Sequence, residues 1–246
     1  MDRPVIIVKN NFQEAWLDVV HLLLKQHWNA YNLIIQITNT DIIDNQLHQN
    51  YSAFCETIRI KAPKSVAYTI FPHKLHRIFN NRHIFFNKYI NIVIPKLRRL
   101  KHFGWGTYFQ RMVDYNNDGQ VNQLENIINA INSRRRYSKA AYTILIQKPG
   151  GETIRPLGGP CLNYIAVQIS TKVDHSMELS LMCIYRNHDF LERAYGNYWG
   201  LLNLLKFLAH ETNLNVGVLT CISSHAYVDK KKTELKNFLE AYRDNS

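Results

Sequence analysis

Acidic residues are what this 246-residue sequence has least of: 19 Asp and Glu stand against 30 Lys and Arg, a formal net charge of +11. The deficit is local. From Lys61 to Val113 there is no Asp or Glu, but there are eleven Lys and Arg. A basic region of this size points to an anionic partner, either a phosphorylated small molecule or a nucleic acid. The alternative is a solvated basic face that only aids solubility. Long apolar runs are also missing. The best candidate, IFFNKYINIVI at 84–94, is short and interrupted by Lys88, so no membrane span is expected. The N-terminus MDRPVIIVKNNF lacks a basic stretch followed by an apolar run, so no secretory signal is expected. The four cysteines, Cys55, Cys161, Cys183 and Cys221, are far apart and form no C-x-x-C pair. This argues against zinc and against a disulfide scaffold, and favours a reduced, cytoplasmic setting. Linkers rich in Pro, Gly or Ser, internal repeats and low-complexity tracts are absent too, so residues 1–246 read as one domain.

What is present is an ordinary globular composition, 46% hydrophobic and 20% charged. Residues 4–8 read as a strand, and 12–27 as a helix with Phe12, Trp16, Val19, Val20, Leu23 and Leu24 on one stripe. A strand follows at 32–37, then a polar, loop-like stretch at 40–53 and strand-like pieces at 55–61 and 66–71, separated by Pro63. Spacing is helical from 75 to 101, with an end or bend at Pro95. A further amphipathic helix spans 121–132. Strands are expected at 140–146, 163–170, 178–185 and 216–222, and helices at 198–210 and near 230–242. The mixture implies an α+β fold.

Residues 114–125, DYNNDGQVNQLE, fit the calcium-loop pattern D-x-[DN]-x-[DN]-G-x5-E at each fixed position. A calcium loop, however, lies between two helices and usually pairs with a second copy. GWGTYFQRMV at 104–113 is a weak entering helix, no second loop exists, and Glu125 falls inside the helix 121–132. The stretch reads better as a polar Asp-Gly turn leading into that helix.

GGPCLNYIAVQ at 158–168 sets Cys161 after a Gly-Gly-Pro turn at the mouth of a strand. A cysteine there can be nucleophilic if cations stabilise its thiolate, or it can be a small core residue. Around it in the chain stand Ser133-Arg134-Arg135, Pro160-Cys161, Arg186-Asn187-His188-Asp189, Asn197, and His225-Ala226-Tyr227. This order resembles the thymidylate synthase family, which includes the pyrimidine hydroxymethylases. That family shows S-R-R, then a P-C nucleophile, R-S-x-D with an Asn eight residues after the Asp, and H-x-Y. The lead-in DG-x-V-N-Q-L at 118–124 resembles the family's D-G-x-x-I-D-Q-L. The likeness covers roughly 104–230.

The resemblance implies a three-layer α+β fold with a large mixed sheet flanked by helices, and a C5 one-carbon transferase acting on dUMP or a related uridylate. Cys161 would add at C6 of the pyrimidine, turning C5 into a nucleophile. Arg186 would lower the thiol pKa and bind phosphate, a role that suits the bidentate guanidinium. Arg134 and Arg135 would reach a partner subunit's phosphate, which implies a homodimer. Asn197 can accept from N3–H and donate to O4 of uracil, whereas the cytosine-specific members resemble this pattern with Asp there. Asn187 and Asp189 belong to the substrate-binding motif, and His225 and Tyr227 would bind the sugar hydroxyl. The implied cofactor is a reduced folate or pterin one-carbon donor; no metal, membrane or nucleic-acid partner is implied.

Several positions depart from the pattern. The family's catalytic Glu would fall in the acid-free segment 61–113, Tyr-Gly becomes Trp105-Gly106 with Tyr108 nearby, the His after the nucleophile is Leu162, and the Gly four residues after Asp189 is Arg193. The chain ends at Ser246, so the family's folate-covering C-terminal segment is expected to be missing. A diverged nucleotide-binding or nucleotide-modifying protein without folate-dependent methylation is therefore the second reading. A nucleic-acid binder using 61–113 is the third.

Overall fold

The computed structural model describes residues 4–40, 44–100, 104–133, 141–150, 152, 154 and 158–243. Arg134 and Arg135 lie outside them. The N-terminal part comprises β1 (Val5–Lys9), α1 (Phe12–Lys25), β2 (Asn29–Ile37), α2 (Asn45–Thr57), α3 (Pro63–Ile70), α4 (His73–Ile78) and α5 (Arg82–Lys88). A π-helical turn, Tyr89–Val93, leads into α6 (Ile94–Arg98), α7 (Tyr108–Val113) and α8 (Gln123–Asn132). Then come β3 (Tyr142–Leu145), β4 (Leu162–Thr171), β5 (Met177–Tyr185), β6 (His188–Asp189), α9 (Ala194–Glu211), β7 (Asn215–Tyr227) and α10 (Lys232–Arg243).

The strands form one mixed seven-stranded sheet in the order β1-β2-β7-β5-β4-β3, with β6 pairing β7. The first and second strands run parallel, as do β5 and β7, while β2/β7, β4/β5 and β3/β4 are antiparallel. Side chains alternate between the two faces of a strand, and here the rows are continuous. Ile35, Cys221, Cys183, Ile165 and Ile144 are successive register partners and all are buried. The neighbouring row, Ile6–Ile34–Ile222–Ile184–Tyr164–Leu145, crosses six strands on the other face. Its two ends are well exposed, Ile6 at 64% and Leu145 at 49%.

Helix α1 forms where the apolar stripe predicted it. Asn11 caps it by accepting from the backbone N–H groups of Gln13 and Glu14, and Phe12, Trp16, Val19, Val20 and Leu23 are buried. Trp16 Nε1 donates to the Phe190 carbonyl at 2.7 Å, anchoring the loop that follows β6.

The stretch 40–53 is not a loop: α2 occupies most of it. Asp44 caps that helix by accepting from the Leu47 N–H at 2.9 Å, and Leu47, Tyr51 and Cys55 are buried at four-residue intervals. Three apolar side chains among polar ones suffice once they share a face. The strand-like pieces at 55–61 and 66–71 are not strands: 55–57 end α2, 58–61 form the turn that follows it, and 66–70 belong to α3. Pro63 sits in the first turn of α3, where no N–H is required. Val66, Ala67 and Ile70 are buried, because α3 lies directly against α9. At Gly196 and Gly200 an added Cβ would lie 2.6 Å from the Pro63 carbonyl oxygen and 2.7 Å from that of Ala67. On sequence alone 66–71 reads as strand-like; this close helix contact holds 66–70 helical instead. The π-helical turn just before Pro95 accommodates a residue that lacks an N–H and crowds the preceding turn.

The calcium-like pattern is an ordinary turn. Asp114 is buried and its Oδ1 accepts from the Gly119 N–H at 2.8 Å. Glu125 lies in the first turn of α8 and is held by Arg82, through Nε and Nη2 at 3.0 Å each. Arg82 Nη1 reaches Glu211 at 2.9 Å. Arg111 is likewise turned inward, onto Glu152 and the Trp105 carbonyl. Two of the cations in the basic 61–113 segment thus serve internal ion pairs.

Candidate active site

Of the four cysteines, Cys161 is half-buried and the other three are buried. It immediately precedes β4, at the rim of the sheet, after a turn in which Gly158 has φ +82, a backbone setting that favours glycine. Arg186 immediately follows β5, whose last residue, Tyr185, pairs with Leu162. Its backbone N–H donates to the Cys161 carbonyl at 2.9 Å and to Asn163 Oδ1 at 3.1 Å. Its Nε donates to the Pro160 carbonyl at 3.2 Å. Gly159 lets Arg186 approach closely, since a Cβ would stand 3.1 Å from its Nη2. From below, Tyr108 accepts the Cys161 N–H at 3.3 Å. Both sides of the cysteine are therefore held by fixed groups.

Burial raises the Cys161 thiol pKa, while Arg186 and then Arg193 pull it down. The balance stays above the ordinary value, so Arg186 acts in the expected direction without overcoming desolvation. Tyr108 is pushed up to about 12 by burial and by Cys161. Tyr227 also rises to about 12, through burial and then Asp189, Cys161, Asp229 and Glu192. One electrostatic neighbourhood therefore contains the thiol, two guanidiniums, two phenols and several carboxylates.

Asp189 pairs with Tyr227 in the β6–β7 ladder. Its Oδ1 accepts the Leu191 and Glu192 N–H groups at 2.9 Å each, and burial raises its pKa. Asp189, Leu191, Glu192, Tyr227, Asp229 and Lys230 line a cavity of about 140 Å³. That is below the ~300–1,000 Å³ of a pocket for a whole ligand and is closer to the size of a single ring.

Asn197, in the first turn of α9, is 2% exposed. Its Nδ2 lies 3.1 Å from His188 Nε2, and its Oδ1 has no hydrogen-bond partner. A buried unmatched acceptor costs roughly 1–3 kcal/mol, and a ligand donor would relieve it. His188 Nδ1 meets Ser223 Oγ at 2.9 Å. Burial lowers the His188 pKa to about 3, so the imidazole is neutral.

His225 and Tyr227 do face the same way, as their spacing predicts, because β7 continues beyond 222 to Tyr227. Their rings stack with centroids 5.0 Å apart, and Tyr31 stacks on the other side of His225 at 4.8 Å. His225 Nδ1 lies 3.4 Å from Asn187 Oδ1, and Nε2 lies 3.0 Å from Asn29 Oδ1.

Cys161, Arg186, Asp189 and Tyr227 thus share one electrostatic neighbourhood, Asn187 and His225 touch each other, and Asn197 joins His188. Arg134 and Arg135 are outside the described residues. Sequence reasoning did not assign roles to Arg193, Tyr108, His188 or Ser223. Arg193 had one available signal, a cation standing where the resembled pattern has Gly. Among the described residues no group of His, Cys, Asp or Glu could hold a metal ion, and no helix is long and apolar enough to cross a membrane.

Fold and site define an α+β protein with a large mixed sheet flanked by helices and a half-buried cysteine under the electrostatic influence of two arginines. A protein of Methanosarcina mazei named "Putative thymidylate synthase" is 28% identical over 122 residues, which cover 50% of this chain and 52% of that protein. The chain thus matches about half the length of this curated relative, a distant likeness to a thymidylate synthase-type protein. No protein-family profile matches the chain.

Proposed function

We propose that this protein is a pyrimidine-nucleotide C5 one-carbon transferase of thymidylate synthase type, built as a single domain on that family's fold. The observation that carries the reading is Cys161 on the sheet rim, clamped by Arg186 and within electrostatic reach of Arg193. The name of the M. mazei relative supports the same class.

In this reading a uridylate phosphate binds at Arg186, and the Asn197 carboxamide reads the base edge. The Cys161 thiolate forms a C–S bond to C6, and the C5–C6 electron pair moves onto C5 and O4. C5 then bonds to a one-carbon electrophile, whose nitrogen takes the displaced electron pair; loss of the C5 proton to a base restores the C5–C6 double bond and breaks the C6–S bond, returning the Cys161 thiolate. A reduced folate or pterin would supply that carbon.

A homodimer is part of the proposal. The apolar row from Ile6 to Leu145 crosses the whole sheet and remains partly exposed. An isologous contact would bury it against itself. Arg134 and Arg135 would then serve the partner's phosphate.

Incubation with 5-fluoro-dUMP and methylene-tetrahydrofolate, followed by peptide mass analysis, should find an adduct on Cys161. A folded protein with no adduct would sink the covalent mechanism. The second reading, a nucleotide-binding or nucleotide-modifying protein that needs no folate, is favoured by one observation: the Cys161 thiol is raised rather than depressed. Release of the C5 proton from dUMP without folate would support it, as would tight dUMP binding with no exchange.

A further inference from the structure

His188 has no part in the chemistry above, yet it is 1% exposed and touches the candidate base reader directly. Its ring is immobilised. Tyr185 stacks on it with centroids 4.0 Å apart and planes 3° apart, Tyr198 meets it edge-on at 5.5 Å, and Phe190 lies at 5.1 Å. The side chains facing it are aromatic or neutral polar. Each ring nitrogen has one partner, Ser223 Oγ at 2.9 Å and Asn197 Nδ2 at 3.1 Å.

We infer that His188, immobilised by its aromatic neighbours and bonded at Nδ1 to Ser223, fixes the direction of the Asn197 carboxamide and thereby selects a uracil over a cytosine nucleotide. This rests on the reading of the site given above. A neutral imidazole carries one N–H. Asn197 presents Nδ2 to Nε2, so Nε2 is the acceptor and Nδ1–H donates to Ser223 Oγ. One amide hydrogen is thereby committed to His188. The unpartnered Oδ1 and the second amide hydrogen remain. Uracil offers N3–H and O4, which match that acceptor–donor pair. Cytosine offers the reverse, N3 and the N4 amino group. To bind it, the amide must turn over and bring Oδ1 against Nε2, lone pair against lone pair, unless the imidazole changes tautomer. The clamped ring cannot evade this by flipping, so the tautomer acts as the filter. His188 is a positioning residue: it acts on the base only through Asn197.

Two measurements on the full chain test this. Long-range ¹H–¹⁵N correlation spectra of the wild type should show His188 with the proton on Nδ1. A proton on Nε2 overturns the inference, whatever any variant does. Calorimetry with dUMP and with dCMP should then show a uracil preference in the wild type. Ser223→Ala and His188→Leu should each reduce that preference about five- to tenfold, the worth of one hydrogen bond, with thermal unfolding used to confirm that each variant is folded. Folded variants that keep the wild-type ratio overturn the inference and leave the proposed function standing. A wild type that binds neither nucleotide removes both, and a wild type that prefers dCMP removes the inference alone.

Discussion

The backbone N–H of Arg186 donates to the carbonyl of Cys161 at 2.9 Å, joining the end of β5 to the start of β4. Through this contact the sheet itself presents the candidate nucleophile beside the cation that most lowers its pKa. The arginine side chain bonds the Pro160 carbonyl, so the guanidinium is also tied to the turn that carries the cysteine. Substrate phosphate and thiol would therefore be positioned by the same element.

Replacing Arg186 by Gln should weaken binding of uridine monophosphates by roughly tenfold to a hundredfold, since a hydrogen bond to a charged group contributes about 1.5–3 kcal/mol. The pH profile for alkylation of Cys161 should move to higher pH, because one of the two groups lowering its pKa is gone. Calorimetry and iodoacetamide kinetics read the two effects separately.

Arg193→Gly should shift the same alkylation profile in the same direction without loss of the backbone contacts around Cys161. Lys61, held down by burial and then by Arg193, should rise at the same time. An unchanged Cys161 profile would show that Arg193 has no influence on the thiol.

Acid should destabilise the fold from the histidine side. Burial lowers the pKa of His48, His73, His76, His188 and His225, with His188 reaching about 3. Below about pH 6.5 the unfolded chain binds protons that these native residues refuse, so stability falls as pH falls. For His188 the fall continues to about pH 3, at roughly 1.4 kcal/mol per pH unit. Urea unfolding across pH 7.5 to 4 checks this, and the slope should diminish in His188→Gln.

Gly196→Ala should cost about 1–3 kcal/mol, as overpacking usually does. Its Cβ would stand 2.6 Å from both the Pro63 carbonyl oxygen and Val66 Cβ, so α3 and α9 must separate. Denaturant melts measure the loss.

On the open sheet face, Ile222→Glu should convert a dimer to a monomer in sedimentation or light-scattering experiments. Ile222 is at the middle of this partly exposed row, paired with Ile34 and Ile184. A wild type that is already monomeric would remove the homodimer from the proposal.

Periodicity made α1 and α8 legible because each carries a full apolar stripe and an Asn cap. It missed α2, whose buried stripe is only Leu47, Tyr51 and Cys55, and α3, which packs against two glycines of α9 that lie far along the chain, Gly196 and Gly200. Strand β7 extends past its expected end because β6 takes over pairing where β5 stops, an event that no local window reports. DYNNDGQVNQLE matched a metal-loop pattern letter for letter, but its closing carboxylate is engaged by Arg82.

The order of residue types along the chain determined which chemistry was available: a cysteine after a Gly-Gly-Pro turn, arginines, an Asn eight residues beyond an Asp, and a basic stretch without acids. Tertiary structure alone decided which of these meet and in what electrostatic state. It brought Arg193 and Tyr108 to the electrostatic surroundings of Cys161, set a neutral His188 against Asn197, and left the thiol raised rather than lowered. The reason is physical: a sequence specifies donors and charges, whereas burial and close approach arise only when distant segments pack.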